Sequence, residues 1–173
     1  MSVKDRMEKH EKPLVVVTGS SGYLGSAVVR RLNERYRVVG LDRYSPPHPP
    51  HQAECVCFDI TDQASVDKAL ARVRLAYGDR IAACIHLAAY FDLSGEESPA
   101  YDAVTVEGTK RLLSGLQKFE LEQFVFASTM LAHAPTEPGR PIAEDHPFDA
   151  KLPYRASKIR TEAMLRTERG KEK

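Results

Sequence analysis

Two groups of residues are typed and spaced for chemistry. The first is Thr18-Gly19-Ser20-Ser21-Gly22-Tyr23-Leu24-Gly25. It lies between a short apolar run and a helical pattern, where unpaired backbone N–H groups and the helix dipole favour a pyrophosphate. Gly19 permits the tight turn, Gly22 lets the backbone approach the phosphates, and Gly25 lets the next helix pack on a sheet. The spacing is G-x-x-G-x-x-G, one residue longer than the common dinucleotide fingerprint. Asp42 follows Gly19 by 23 residues, near the ~20 expected for a carboxylate on the hydroxyls of an adenosine ribose. A carboxylate there repels a 2′-phosphate, so NAD is expected and NADP disfavoured. Arg43 pulls the other way, because an arginine at this site can hold that phosphate.

The second group is Tyr154 and Lys158, four apart and on one face if the segment is helical. A tyrosine is a poor base near neutral pH, its reference pKa being about 10. A lysine cation and an oxidised nicotinamide both favour the phenolate, and a drop of ~3 units takes ~4 kcal/mol. Such a phenolate takes a proton from a substrate hydroxyl while hydride leaves for a cofactor. An exposed helix carrying an ordinary tyrosine and lysine has the same spacing, so this pair gains meaning only from its context.

The elements that position these groups alternate. Leu14–Val17, Val38–Leu41, Cys55–Phe58, Ile81–Leu87 and Phe124–Phe126 are short apolar runs of the kind buried on both faces of a parallel sheet. Between them, helices are expected over Ala27–Arg35, Asp62–Tyr77 with Asp62 as N-cap, and Pro99–Phe119, with a last helix from about Tyr154. Strands separated by helices imply βαβ units with right-handed crossovers. The expected fold is therefore α/β, a Rossmann-type doubly wound parallel sheet of about five strands with helices on both faces. Residues 1–12 read as a flexible solvated tail, residues 13–173 as one cofactor-binding domain, and the four prolines within residues 44–51 as an irregular loop.

Composition excludes several function classes. A formal net charge of +1 predicts neither a nucleic-acid nor a membrane partner. No apolar run approaches the ~20 residues that span a bilayer. The first 13 residues lack the apolar stretch of a secretory signal, so a cytoplasmic location is the default. Three cysteines, Cys55, Cys57 and Cys84, argue against a disulfide framework. Cys55 and Cys57 point to one face of a strand and read as core packing, and no metal site is expected. His48 and His51 belong to the proline loop and His86 to a buried strand as a satisfied core histidine. Glu96-Glu97 and Glu144-Asp145 read as solvated surface.

The glycine motif, Asp42, Asp59-Ile60, His86-Leu87-Ala88-Ala89, Phe126-Ala127-Ser128-Thr129 and Tyr154-Arg155-Ala156-Ser157-Lys158 occur in this order. The sequence thereby resembles the extended short-chain dehydrogenase/reductase family, the NAD-dependent epimerase/dehydratase group, over roughly residues 13–166. The resemblance implies that Gly19, Gly22, Tyr23, Leu24 and Gly25 line the pyrophosphate site and that Asp42 holds the adenosine ribose. It places Asp59 and Ile60 beside the adenine; by spacing alone, Asp59 serves equally to cap the next turn. Leu87, Ala88 and Ala89 would border the cofactor. Thr129 matches the hydroxyl residue that orients substrate, with Ser128 as the alternative. Tyr154 would be the base and Lys158 would hold the nicotinamide ribose. The substrate implied is a small molecule bearing a secondary alcohol or ketone, with nucleotide sugars one class, and relatives dimerise through the helices that begin here at Pro99 and Tyr154.

Three positions depart from that pattern. Thr105 stands where the family often has Asn, Met130-Leu131-Ala132-His133 replaces an aromatic-glycine pair, and family members are usually nearly twice as long. The last departure leads to the expectation of a chain lacking the C-terminal, substrate-binding part. Two functions remain open: an NAD-dependent oxidoreductase, epimerase or dehydratase, and an NAD-holding module without a complete substrate pocket.

Overall fold

The computed structural model describes residues 12–43 and 53–169. His48, His51, the prolines at 46–50 and nearly all of the expected N-terminal tail lie outside the described residues. Two compact units are defined, one reaching Ala88 and including Lys110–Ala127, the other formed by Ala89–Thr109 with Ser128 onward.

The first unit is built on five parallel strands: β1 (Leu14–Thr18), β2 (Arg37–Asp42), β3 (Glu54–Cys57), β5 (Ala83–His86) and β7 (Phe124–Phe126). They are ordered β3-β2-β1-β5-β7. Register sets Val16 beside Val39 and Cys84, so the middle of β1 is enclosed on both edges. All five β1 residues are buried, as a strand covered on both faces requires. A separate parallel ladder joins β4 (Arg80–Ile81) to β6 (Glu120–Leu121).

The strand order reverses at β1. Right-handed crossovers therefore put helix α1 (Tyr23–Leu32) on one face and helices α2 (Gln63–Tyr77) and α3 (Glu107–Leu116) on the other. Val15, Val17 and Val38 meet Val29 of α1 in one core cluster. Where α2 meets α3, Gly115 faces Leu70, and a Cβ there would lie 2.3 Å from Leu70 Cδ1. The Asp62 carboxylate accepts Ala64 N–H at 3.0 Å, the expected N-cap of α2.

Three element bounds differ from the sequence expectation. Helix α1 begins at Tyr23, not Ala27, because Gly22 serves as its N-cap and its carbonyl already accepts Ser26 N–H at 2.9 Å. The run 81–87 is divided: Arg80 and Ile81 pair with Glu120 and Leu121, and Ala82 N–H bonds instead to Leu14 C=O at 2.9 Å. The run 99–119 opens as a wide π-helical turn, Tyr101–Val106, before α3. The cysteine expectation is also corrected. Cys55 is half-buried but Cys57 is exposed, with its thiol 3.7 Å from Arg43 C=O. Among the described residues β3 is an edge strand of the sheet.

The second unit carries that π-helical turn, a 3-10 turn (Met130–Ala132) and helix α4 (Pro153–Arg169). Buried Thr105 is its hub. The Thr105 hydroxyl accepts Tyr90 N–H at 3.1 Å, and its carbonyl accepts the hydroxyls of Thr109 at 2.6 Å and Thr161 at 3.4 Å. The departure from Asn at this position thus keeps a side-chain oxygen bonded to backbone. No helix among the described residues is long and apolar enough to cross a membrane.

His86 is the satisfied core histidine anticipated above. It is 1% exposed, and its Nδ1 lies 2.6 Å from the Thr18 hydroxyl, which also accepts Ala88 N–H at 3.2 Å. A buried group stripped of such partners costs about 1–3 kcal/mol. Thr18→Val keeps the shape and removes both bonds, so it should lower unfolding stability by roughly that amount in urea titration. An unchanged midpoint and slope would remove Thr18 from this role.

Candidate active site

One group of candidate residues lies in the sheet unit at the carboxyl ends of β1 and β5, where the strand order reverses. Open α/β sheets receive ligands in that crevice. Gly19 leaves β1 with φ +68, and its N–H bonds to Leu41 C=O at 2.9 Å. A Cβ on Gly19 would come within 2.8 Å of Ala88 N, so conformation and space both require glycine. Gly25 is fixed by packing: its Cβ would lie 2.0 Å from Gly19 O.

Gly22 differs from both. It is extended, with φ −70 and ψ 172, a conformation open to any residue. A Cβ there would meet only Gly19 O, at 3.3 Å. A Cβ at 22 would require Gly19 O to give by a few tenths of an ångström, a milder demand than those at Gly19 and Gly25. Tyr23 and Leu24, 92% and 63% exposed, turn their side chains outward from the first turn of α1. The Ser20 side chain is buried against Gly40, and its hydroxyl has no hydrogen-bond partner among the described residues.

Asp42 ends β2 with its carboxylate anchored at both oxygens. Oδ2 accepts Ser21 N–H at 2.8 Å and Oδ1 accepts Arg43 N–H at 2.7 Å. The carboxylate is thus held over the glycine turn. Hydrogen bonds from Thr61, first, and the Arg43 charge hold the Asp59 carboxyl below its usual range. Asp59 caps the following turn: its Oδ1 accepts Thr61 N–H at 2.9 Å and the Thr61 hydroxyl at 2.7 Å. Ile60 is buried in the core, 4% exposed. Leu87 and Ala88 continue from β5, with Leu87 N–H on Thr18 C=O at 3.3 Å. Ala89 begins the second unit.

A second group of candidate residues lies in the α4 unit. Pro153 opens α4, in keeping with the preference of the first helical turn for proline. Tyr154 and Lys158 lie one turn apart, 8% and 3% exposed, with the ammonium 6.0 Å from the phenol ring centre. The pair is therefore not the exposed, ordinary one that the spacing alone allows. Phe91 packs edge-on against Tyr154, ring centres 5.0 Å apart. Burial pushes the Tyr154 phenol above its ordinary value, and a hydrogen bond with the Thr129 side chain opposes that rise. Burial also pushes the Lys158 ammonium down to about 8, partly offset by the Glu162 carboxylate. Ser128 donates its hydroxyl to Glu162, and the Thr129 hydroxyl accepts Leu131 N–H at 3.2 Å. Sequence reasoning missed Thr18, Phe91 and Glu162. Their signals are a threonine closing the strand before the first glycine, an aromatic pair just past Ala88-Ala89, and a glutamate one turn beyond Lys158.

A cavity of about 1060 Å³ lies elsewhere in the sheet unit, lined at the strands' amino ends by residues such as Leu14, Arg37, Ala82 and Gln123. It touches none of the groups above.

A family model described as the NAD dependent epimerase/dehydratase family matches residues 15–172. A putative UDP-glucose 4-epimerase from Methanocaldococcus jannaschii is 30% identical over 159 residues, covering 88% of this chain and 50% of the relative. A 3-beta-hydroxysteroid dehydrogenase from Mycolicibacterium neoaurum is 32% identical over 123 residues, covering 66% of this chain and 31% of that protein. Among solved structures, the Thermus thermophilus UDP-glucose 4-epimerase in complex with NAD superposes with a TM-score of 0.75 at 28% identity, covering 89% of this chain and 50% of that one. The chain spans about half the length of the first curated relatives it matches.

Two outcomes follow from the geometry. Gly25→Ala should destabilise strongly, by more than about 3 kcal/mol, whereas Gly22→Ala should stay within about 1 kcal/mol of wild type in urea unfolding. Equal losses would contradict the distinction. Lys158 carries a folded pKa of about 8 against an ordinary 10.5, so the unfolded chain holds this proton more tightly. The stability penalty is complete below about 8 and is relieved as pH rises toward 10.5. Measured against Lys158→Met, wild type should gain stability between about pH 7 and pH 10. A flat difference would overturn the burial of that charge.

Proposed function

The chain belongs to the NAD dependent epimerase/dehydratase family, and from that premise we propose that it binds NAD and serves proton and hydride exchange on a secondary alcohol or its ketone. The observation that carries the cofactor proposal is the glycine turn between β1 and α1, where Gly19 and Gly25 bring backbone into close approach beneath the anchored Asp42 carboxylate. The residues fit a dinucleotide: amides at the start of α1 suit phosphates, and an anchored carboxylate at the end of β2 suits ribose hydroxyls.

In this reading Gly19, Gly22 and Gly25 border the pyrophosphate with Tyr23 and Leu24, and Asp42 holds the adenosine ribose. The Asp42 carboxylate, held by Ser21 and Arg43 N–H, supports NAD over NADP. Asp59 and Ile60 lie beside the adenine, and Leu87, Ala88 and Ala89 border the cofactor through backbone. Lys158 holds the nicotinamide ribose. When bound, NAD supplies the acceptor for hydride from the alcohol carbon.

The chain's own residues manage the proton. Burial keeps Tyr154 protonated near neutral pH, so its proton is in place for a ketone oxygen. In the oxidative direction the same oxygen takes the proton of the substrate hydroxyl, with the Thr129 hydroxyl orienting the alcohol. Lys158, pushed down only to about 8, still carries most of its charge at neutral pH and favours the phenolate. The substrate proposed is the chemistry shared by the names of the two relatives, a ring carbon bearing a hydroxyl, with nucleotide sugars as the first class to test.

Calorimetry of the folded chain with millimolar NAD tests the cofactor directly. Binding is expected, with Gly22→Ala and Asp42→Asn each weakening it about tenfold or more. No heat from folded protein overturns the reading. Tyr154→Phe should leave NAD affinity within about twofold and abolish NAD reduction by substrate, since it removes only the proton-carrying oxygen.

A further inference from the structure

Phe91 is 64% exposed, yet the backbone on both sides of it is pinned. Tyr90 N–H donates to the Thr105 hydroxyl at 3.1 Å, and the Tyr90 ring meets Tyr101 edge-on with ring centres 4.9 Å apart. On the other side, Asp92 C=O accepts the Tyr101 hydroxyl at 2.9 Å. Phe91 is thereby set against Tyr154, the two rings crossing at 89° with centres 5.0 Å apart. One edge-on contact covers only part of an aromatic ring, and the remainder faces solvent beside the phenol.

The 3-10 turn holds two more apolar side chains in the open. Thr129 caps it: the hydroxyl accepts Leu131 N–H at 3.2 Å and the carbonyl accepts Ala132 N–H at 3.1 Å. Ala132 is buried, and its carbonyl accepts Asp149 N–H at 2.8 Å. The turn packs on α4, the helix that carries Tyr154, and leaves Met130 and Leu131 exposed. Apolar groups fixed in this way by backbone bonds take up apolar surface without the cost of ordering a loop.

Charge in these segments has one sign. From Ala89 to Ser98 the chain carries Asp92, Glu96 and Glu97 and no lysine or arginine. From Ser128 to Pro135 the one titratable side chain is His133, whose Nδ1 donates to His146 C=O at 2.9 Å. The cations elsewhere in the unit face carboxylates of their own. Lys151 and Arg155 lie 3.8 and 3.6 Å from Asp149, Arg160 pairs with Asp102 at 2.7 Å, and Arg166 lies 3.6 Å from Glu162. Arg140 stands in an exposed turn closed by the Thr136 hydroxyl on Arg140 C=O at 2.8 Å. A diphosphate brought against Phe91 and the 3-10 turn meets carboxylates and apolar groups, and like charge in such a place disfavours binding.

We propose that the alcohol presented to Tyr154 is an uncharged, apolar ring alcohol seated on Phe91, Met130 and Leu131, in preference to one carrying a diphosphate. This rests on the reading of Tyr154 as the group that meets the substrate hydroxyl, and it narrows the substrate to one of the two chemistries that reading admits. Sites of this kind are lined by apolar side chains, with a few polar groups to fix orientation.

The test is binding to the folded chain without cofactor, read by NMR on the ring signals of Phe91 and Tyr154, which Phe91→Leu and Tyr154→Phe assign. Menthol serves as the uncharged ring alcohol and UDP-glucose as the diphosphate-bearing one. Menthol should shift both rings, with an affinity at least about tenfold above that of UDP-glucose. Phe91→Ala should weaken menthol about fivefold or more, and Phe91→Leu, which keeps apolar surface, should remain within about twofold of wild type. Met130→Lys should weaken menthol and strengthen UDP-glucose, each about threefold. Met130 and Phe91 are both exposed, so either variant decides the matter should the other fold poorly. UDP-glucose binding as tightly as menthol, menthol leaving the two rings unshifted, or menthol affinity indifferent to the substitutions would overturn the proposal. Failure of the reaction reading shows elsewhere: NAD reduction that survives Tyr154→Phe removes the tyrosine from the chemistry and leaves these affinities as they are.

Discussion

The close approach of backbone at the end of β1 is the constraint on which the candidate cofactor residues depend. Gly19 turns with positive φ directly against Ala88 N, and Gly25 packs its Cα against Gly19 O. Neither contact tolerates a Cβ. Beneath them the Thr18 hydroxyl joins His86 to Ala88 N–H, so the two strand ends are locked by backbone contact above and a buried polar bridge below. Apolar packing alone would leave those ends free to slide by fractions of an ångström. A hydrogen bond between buried groups sets distance and direction together. The turn is therefore rigid before any ligand arrives, and a rigid amide cradle binds anions without the cost of ordering a loop.

The same turn shows why glycines cannot be read as one class. Gly19 and Gly25 serve the fold, whereas Gly22 sits in ordinary extended backbone where an added Cβ makes a milder demand on Gly19 O. A sequence motif lists the three alike. Only coordinates separate the two that cannot carry a Cβ from the one whose neighbour need give only slightly.

Much of the fold was legible because its signals are local. Runs such as Leu14–Val17 are buried on both faces, so they appear as unbroken apolar segments, and Asp62 announces the start of α2 by its type and place. Bounds failed where the deciding partner is distant in sequence. Ile81 reads as the start of β5 until Leu121 claims it. The glycines at 22 and 25 hide the start of α1, since their low helix propensity is overridden by packing. Cys57 is exposed because β3 is an edge strand, a property of sheet order and not of the local sequence. In the α4 unit the spacing of Tyr154 and Lys158 was visible, but the assignment of hydroxyls was not. Ser128 and Thr129 are chemically near-equivalent neighbours, and what distinguishes them is an extended backbone and a glutamate 34 residues away.

The acid–base state of the α4 unit follows from opposing forces, and burial is the larger. It favours the neutral form of both groups, raising the Tyr154 phenol and lowering the Lys158 ammonium to about 8. Thr129 and Glu162 each work against it, one by hydrogen bonding the phenol oxygen and the other by its negative charge near the ammonium. Neither overcomes it. A phenolate at neutral pH needs ~4 kcal/mol of differential stabilisation, and the phenol here stands above, not below, its ordinary value. The residues of this unit therefore store a proton on Tyr154 instead of holding a base ready. Positive charge must come with whatever binds before that oxygen can accept a proton from substrate. In the proposed reaction such an arrangement ties basicity to occupancy, because the positive charge of a bound oxidised nicotinamide is what favours the phenolate.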